Sequence, residues 1–310
     1  MMIYTVTLNP SVDYYMDVPS FTIGETNRAD TAVFEAGGKG INVSWMLKSL
    51  GSETKALGFT AGFTGRFISE TLQEANVAHT FLEVAGHTRV NVKLKTGTET
   101  EINGTSMAIN AADLRRLETE LEAIGQGDWL VLSGSLPESV PEDFYHTLAK
   151  AARAKGASVV VDTSGAPMTH ALSDAVTLMK PNQRELEWLT GEAVDSLDDA
   201  VRLGRTLLQK GVRHVLVSLG KDGALLITDK QVLRAEVPPG ELRQSVGAGD
   251  SMVAGFIHGY SLNQNLEEAF RYAAAAGSAT AYAEGLANGE QVKALLEGIR
   301  ITEWTEEESK

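Results

Sequence analysis

Hydrophobic positions along the chain follow two alternating rhythms. Short runs rich in β-branched and aliphatic residues, at Ile3 to Leu8, Trp129 to Leu132, Ser158 to Asp162, Val176 to Met179 and Val212 to Leu219, end in turn residues and read as buried strands. Helical patterns lie between them. In Gly40 to Leu50, the residues Val43, Met46, Leu47 and Leu50 keep the i, i+3, i+4, i+7 spacing of one helix face, as do Leu266, Ala269, Phe270 and Ala273. Strands alternating with helices predict βαβ units, and hence an α/β fold with a mainly parallel sheet covered on both faces.

Two stretches depart from that rhythm. From Val12 to Glu35, and again from Arg89 to Asn103, strand-like residues alternate with turn signals such as Lys95 to Thr98, without a helical period. Their shared character predicts that they pair into a small β flap over the end of the main sheet. No repeat, low-complexity block or linker rich in Pro and Ser separates the elements, so one continuous core domain is expected. The acidic stretch Thr305 to Lys310 reads as a solvated end.

Composition narrows the function classes. The 310 residues carry 27 Lys plus Arg against 41 Asp plus Glu, a formal charge of -14, and 43% are hydrophobic, as in soluble globular proteins. With no cysteine there is no disulfide, thiolate metal site or cysteine nucleophile, which favours a cytoplasmic setting. The first residues lack a basic start followed by a long apolar run, so neither a signal peptide nor a membrane partner is expected. The acidic balance argues against nucleic acid as a partner, because non-specific affinity for it comes from Lys and Arg. A small phosphorylated ligand held by a local cluster of donors remains open.

The glycine-rich segments carry the candidate chemistry. In Ser245 to Phe256, SVGAGDSMVAGF, the residues Gly247, Ala248 and Gly249 lead into an apolar helix with Asp250 in its first turn. Backbone N–H groups there suit an anion, and Asp250 is a candidate general base for a hydroxyl attacking phosphorus; the alternative is a helix cap. In Glu35 to Trp45, EAGGKGINVSW, Lys39 and Asn42 sit in a second loop entering a helix, without the spacing of a Walker loop. Sugar or phosphate binding and plain tight packing weigh about equally there.

Polar residues also gather where strands finish, the usual ligand edge of an open α/β sheet. Asp162 ends SVVVD, and KPNQRE spans Lys180 to Glu185. Asn182 and Glu185 suit either a hydrated magnesium ion with its phosphates or a reciprocal helix cap. Ser218 to Gly223, SLGKDG, and Ser133 to Pro137, SGSLP, are glycine turns at the same edge. Arg89, Asn91 and Lys93 alternate along TRVNVK, so one strand face presents three donors. The six histidines show no metal-ligand spacing and read as structural or surface residues.

Taken in order, AGGKGINVS, KPNQRE, SLGKDG and SVGAGDSMVAGF resemble the ribokinase-like sugar kinases of the phosphofructokinase B family over nearly the whole chain. LNPSVDYY, GETNRA, TRVNVKL and TEINGT are similar to the bacterial members that phosphorylate fructose 1-phosphate at its 6-hydroxyl, with tagatose-6-phosphate kinases as near relatives.

The resemblance implies a three-layer α/β/α core made of residues 1–10, 37–87 and 108–310, and a β lid of residues 11–36 and 88–107. It implies ATP and Mg2+, with Asp250 as base and the N–H groups of Gly247, Ala248 and Gly249 as anion hole. Asp13, Gly38, Lys39, Asn42, Arg89 and Ser135 would bind the sugar phosphate, with the division of phosphates among Lys39, Arg89 and Lys93 open. Asn182, Ser218, Gly220, Gly223, Gly249, Gly277 and Ser278 would serve ATP, and Glu185 the metal, directly or through water. Relatives often pair through the lid, which makes a homodimer an expected partner arrangement. A non-catalytic sugar-phosphate sensor is the reading from another class; it would be marked by a lost base or a broken anion hole, and both are intact.

Overall fold

The computed structural model describes residues 1–97 and 99–305. Thr98 of the expected turn and residues 306–310 of the acidic end lie outside them. The chain opens with β1 (Ile3–Thr7), β2 (Ser11–Asp17) and β3 (Thr31–Gly37), then enters α1 (Lys39–Leu50), β4 (Thr54–Thr60), α2 (Gly62–Glu74) and β5 (Ala78–Glu83). After β6 (Arg89–Lys95) and β7 (Glu99–Asn103) come α3 (Ala111–Glu120), β8 (Trp129–Ser133), α4 (Phe144–Ala154), β9 (Ser158–Asp162), α5 (Ala166–Ala171) and β10 (Leu178–Met179). The remainder is α6 (Gln183–Thr190), α7 (Leu197–Gln209), β11 (His214–Ser218), β12 (Ala224–Ile227), β13 (Val232–Ala235), α8 (Ala248–Asn263), α9 (Leu266–Ala281), α10 (Gly289–Leu296) and β14 (Ile301–Glu303).

The main sheet has ten strands in the order β14-β13-β12-β11-β10-β9-β8-β1-β4-β5. From β5 across to β11 neighbouring strands are parallel, as the sequence predicts, and β12, β13 and β14 add an antiparallel edge that it does not. The apolar runs are buried on both sides because helices cover both. Val6, Leu132 and Val161 face a cluster that includes Leu148 of α4, Leu186 of α6 and Leu203 of α7. Ile3, Val131 and Val160 face the other way, toward Met46 of α1, Phe256 of α8 and Phe270 of α9. Among the described residues no helix is long and apolar enough to cross a membrane.

The two irregular stretches do pair: β2 is antiparallel to β3 and parallel to β6, and β7 completes a four-stranded sheet. Period-2 alternation gives that sheet two different faces. Asp13, Glu35 and Asn91 lie in register on one; Tyr14, Phe34, Val92 and Ile102 lie on the other, where the Tyr14 and Phe34 rings stack at 4.1 Å. A small core of Val12, Ile41, Ile68 and Leu72 ties the base of this sheet to α1 and α2.

Gly40 sets how α1 meets β1. A Cβ there would stand 2.5 Å from Thr7 Oγ1 and 3.0 Å from the Val6 carbonyl oxygen, so only glycine lets the start of α1 lie down on the end of β1.

Candidate active site

Strand ends and helix starts converge on Asp162. It terminates β9 and is fully buried, while Lys39 opens α1 and Lys180 follows β10 directly. Oδ1 of Asp162 accepts a hydrogen bond from Lys39 Nζ at 2.9 Å and lies 3.4 Å from Lys180 Nζ. Burial pushes this carboxyl up, but the two ammonium groups outweigh burial and hold it below the ordinary aspartate range. Lys39 is half-buried; burial favours its neutral form, yet Asp162, Asp250 and Glu185 together keep it firmly charged.

Asp250 stands beside this pair in the first turn of α8. The turn is entered through Gly247 at φ 77°, a left-handed conformation suited to glycine, where a Cβ would also meet Leu286 at 2.5 Å. The Asp250 side chain is buried, and its Oδ2 accepts a 2.8 Å hydrogen bond from Asn42 Nδ2. Burial and then the Asp162 charge push Asp250 up to about 6, against the pull of Lys39, Asn42 and Lys180. It is therefore ionised at neutral pH yet basic enough to take a proton from a hydroxyl whose oxygen attacks phosphorus.

Ala248 and Gly249 begin the helix, and the first N–H groups of a helix have no partner inside it. Lys180 closes over them: a Cβ on Gly249 would lie 2.9 Å from its Nζ. Helix-start donors and a buried ammonium group thus share one spot, which suits a phosphoryl group.

Toward the small sheet, Asp13 accepts hydrogen bonds from Ser11 Oγ at 2.7 Å and Asn91 Nδ2 at 2.9 Å. Glu35 sits across from it in register, and burial followed by the Asp13 charge raises Glu35 above the usual carboxylate range. A cavity of about 40 Å3 is lined by Asp13, Glu35, Gly37, Asn42, Gln244 and Gly247, so Asp13 and Asn42 share one space with the start of α8. Gly38, at φ 135°, caps α1, and a Cβ there would be 2.8 Å from Thr7 Cγ2.

Arg89 marks the far side. Its Nη2 donates to the Asn9 carbonyl at 3.2 Å, and Asn9 Nδ2 donates to Ser135 Oγ at 3.0 Å, so Asn9 links Arg89 and Ser135. Burial lowers the Arg89 pKa, with Asp13 opposing, and its buried Nε has no partner among the described residues. A cavity of about 390 Å3 opens here between His87, Thr88, Arg89, Gly104 and Thr105. Lys93 is different: it pairs across the strands with Glu101.

Along the same edge lies a second patch. Asn182 Oδ1 accepts from the Glu185 N–H at 2.9 Å, and Glu185 Oε2 accepts from the Asn182 N–H at 2.8 Å, so these side chains form the reciprocal cap that opens α6. Asn182 bridges to Ser218, whose N–H donates to the Pro181 carbonyl at 3.1 Å. Gly220 and Gly223, at φ 59° and 90°, shape the turn that follows β11. Gly277 lies on α9 behind the start of α8, where a Cβ would stand 2.5 Å from Met252 and 3.4 Å from the Ala248 carbonyl oxygen; Ser278 beside it is half-buried.

Asp13, Gly38, Lys39, Asn42, Gly247, Gly249 and Asp250 thus meet; Arg89 feels the charge of Asp13, and Asn9 links Arg89 to Ser135. Sequence reading placed Asp162 and Lys180 at strand ends without assigning them a role. The signal was present in SVVVD and VTLMK, where apolar strands stop on side chains of opposite charge. Among the described residues no group of three or more His, Cys, Asp or Glu side chains is placed to hold a metal ion.

The chain is 48% identical over 301 residues to 1-phosphofructokinase of Bacillus subtilis (strain 168), covering 97% of this chain and 99% of that one. It is 35% identical to D-tagatose-1-phosphate kinase of Bacillus licheniformis, covering 97% and 99%. Phosphofructokinase-2 from Escherichia coli, solved in complex with substrates and products, superposes with a TM-score of 0.90 at 32% identity, covering 96% of this chain and 99% of that one. Residues 6–293 match the pfkB family of carbohydrate kinases, and the chain belongs to that family.

Proposed function

We propose that the protein transfers the γ-phosphoryl group of ATP to the 6-hydroxyl of D-fructose 1-phosphate, giving fructose 1,6-bisphosphate. The observation that carries this reading is Asp250, buried at a helix start, bonded to Asn42 and flanked by Lys39 and Lys180. Asp250 takes the hydroxyl proton as the sugar oxygen bonds to the γ-phosphorus and the bond to the β–γ bridging oxygen breaks, releasing ADP. The first-turn N–H groups of α8 and the two lysines face the charge on the transferring group.

The acceptor reading rests on likeness to the Bacillus subtilis enzyme and on the cations. Lys93 is taken by Glu101 and Lys39 by Asp162, which leaves Arg89, with Ser135, for the phosphate already on the sugar. Asp13 and Asn42 are placed for sugar hydroxyls. The patch of Asn182, Ser218, Gly220 and Gly223 serves the nucleotide, with Gly277 and Ser278 behind α8. Mg2+ fits as an ion carried by the nucleotide phosphates, since it needs only one or two carboxylates besides them, and Glu185 would hold it directly or through water. When bound it would neutralise phosphate charge and orient the γ-phosphoryl group.

The four-stranded sheet acts as a lid. Asp13 of this sheet and Gly247 at the start of α8 line one shared space, so closure of the sheet over a bound sugar would exclude water from the phosphoryl group. Its outer face leaves Phe34 and Ile102 exposed at 53% and 58%, which supports pairing of two copies through the lid. The absence of cysteine supports a cytoplasmic setting.

Tagatose 1-phosphate is the second reading for the acceptor, favoured by the Bacillus licheniformis relative. ADP release measured with fructose 1-phosphate, tagatose 1-phosphate, tagatose 6-phosphate, fructose 6-phosphate and fructose tests both. Fructose 1-phosphate should give the highest kcat/KM. Preference for either tagatose ester would keep the mechanism and change the substrate, and binding without turnover would favour a sugar-phosphate sensor.

A further inference from the structure

We propose that Asp162 is a positioning residue for phosphoryl transfer, its buried carboxylate holding the ammonium groups of Lys39 and Lys180 together against the start of α8. Two lysines from separate elements, α1 and the end of β10, reach the same oxygen, Oδ1, at 2.9 and 3.4 Å. Left alone, two cations that close in a partly dry site would repel each other and turn outward. A carboxylate with no exposed surface, fixed at the end of a central strand, removes that repulsion and gives both lysines one geometry. The other oxygen, Oδ2, is buried and has no hydrogen-bond partner among the described residues, so the carboxylate is committed to the lysines on one side only.

The charges explain the use of such a clamp. Before reaction Asp162 and Asp250 balance Lys39 and Lys180. The proton moves from the sugar hydroxyl to Asp250, the sugar oxygen bonds to the γ-phosphorus, and the leaving electron pair stays on ADP. Neutralising Asp250 leaves the cluster one positive charge in excess while the phosphoryl group passes between the two oxygens. Asp162 holds both cations in place through that step without touching the reacting atoms, which defines it as positioning rather than catalytic.

This inference rests on the kinase reading above, and its test separates the two. The groups facing Asp162 are Lys39 from α1, Lys180 after β10, Asp250 from α8 and, behind it, Tyr145 from α4; Glu185 from α6 acts on Lys39. The kcat, KM and pH profile with ATP and fructose 1-phosphate are measured for the wild type and for Asp162→Asn, Lys180→Met and Asp250→Asn.

Asp162→Asn should lower kcat about 100-fold with KM for the sugar phosphate changed less than about threefold, and should move the acid limb of the kcat/KM profile to lower pH, because a negative neighbour of Asp250 is gone. Lys180→Met should also lower kcat but move the limb to higher pH, because a positive neighbour is gone. Opposite shifts are a signature that loss of folded protein does not produce. If Asp162→Asn does not fold, the upward shift with lost kcat in Lys180→Met carries the test. Near-normal kcat with an unmoved limb in either folded variant, while Asp250→Asn is inactive, overturns the role of Asp162 alone. A wild type without turnover overturns the kinase reading and this inference together.

Discussion

Asn42 donates its side-chain amide to Oδ2 of Asp250 at 2.8 Å, joining α1 to α8 through two residues 208 positions apart in the sequence. The contact makes one unit of the two glycine loops, since Asn42 belongs to the loop entering α1 and Asp250 to the loop entering α8. A hydrogen bond to the ionised carboxylate favours that form and holds the Asp250 pKa below where burial alone would put it.

Asn42→Ala removes that donor. The acid limb of kcat/KM, expected near pH 6 for the wild type because a general base works only above its own pKa, should move to higher pH. A pH–rate profile of both proteins checks this, and a limb unmoved or shifted downward would show that another group governs it.

Arg89 and Lys93 alternate on one strand but should behave differently. Arg89→Ala should raise KM for the sugar phosphate by about 100-fold, in line with loss of a charged hydrogen bond of about 2–3 kcal/mol, with KM for ATP little changed. Lys93→Ala should leave both nearly unchanged, since Glu101 already takes its charge. Steady-state kinetics with each substrate varied would reveal equal losses if Lys93 shared the sugar phosphate.

Gly249→Ala places a methyl group 2.9 Å from Lys180 Nζ. Lysine can give way, so the fold should persist, while the displaced ammonium lowers kcat by about 10- to 100-fold. Thermal unfolding measured beside kcat distinguishes this from a general loss of structure, which would lower Tm as well.

The strand–helix alternation, the pairing of the two irregular stretches and the meeting of the glycine loops were legible because period, turn residues and loop chemistry are local properties. The antiparallel edge of β12, β13 and β14 was not: VLRA and ITE are too short to show a period, and tertiary pairing alone makes them strands. The partner of each charge was equally hidden. Lys39, Arg89 and Lys93 looked equivalent in sequence, and only long-range geometry sends them to Asp162, the Asn9 carbonyl and Glu101. Asn182 and Glu185 were readable either as a cap or as phosphate and metal ligands; their mutual hydrogen bonds show the cap directly.

If two copies pair through the outer face of the lid, Phe34→Asp should shift the mass in solution from dimer to monomer, because a charge would be buried where an exposed aromatic ring now lies. Light scattering of the wild type and this variant reads the change, and a monomeric wild type removes the lid pairing altogether.

Asp250→Asn carries the central claim in two ways. The folded pKa of Asp250, about 6 against an ordinary 3.8, means that ionising the buried carboxyl costs stability, on the order of 3 kcal/mol well above pH 6. The raised carboxyl favours folding only when protonated, so the wild type should be less stable than the variant at pH 8, with the gap closing as pH falls from about 6 toward 3.8. Matched denaturation curves across that range would expose an unstrained carboxyl by showing no gap.

Phosphorus NMR of the reaction with ATP and fructose 1-phosphate is the most direct measurement. The wild type should generate a second phosphomonoester signal, on C6 of the sugar, in step with ADP, while Asp250→Asn, still folded, forms it at least about 1,000-fold more slowly. A C6 phosphate appearing at a near-normal rate in Asp250→Asn would contradict Asp250 as the base, and no C6 phosphate from the wild type would contradict the proposed reaction itself.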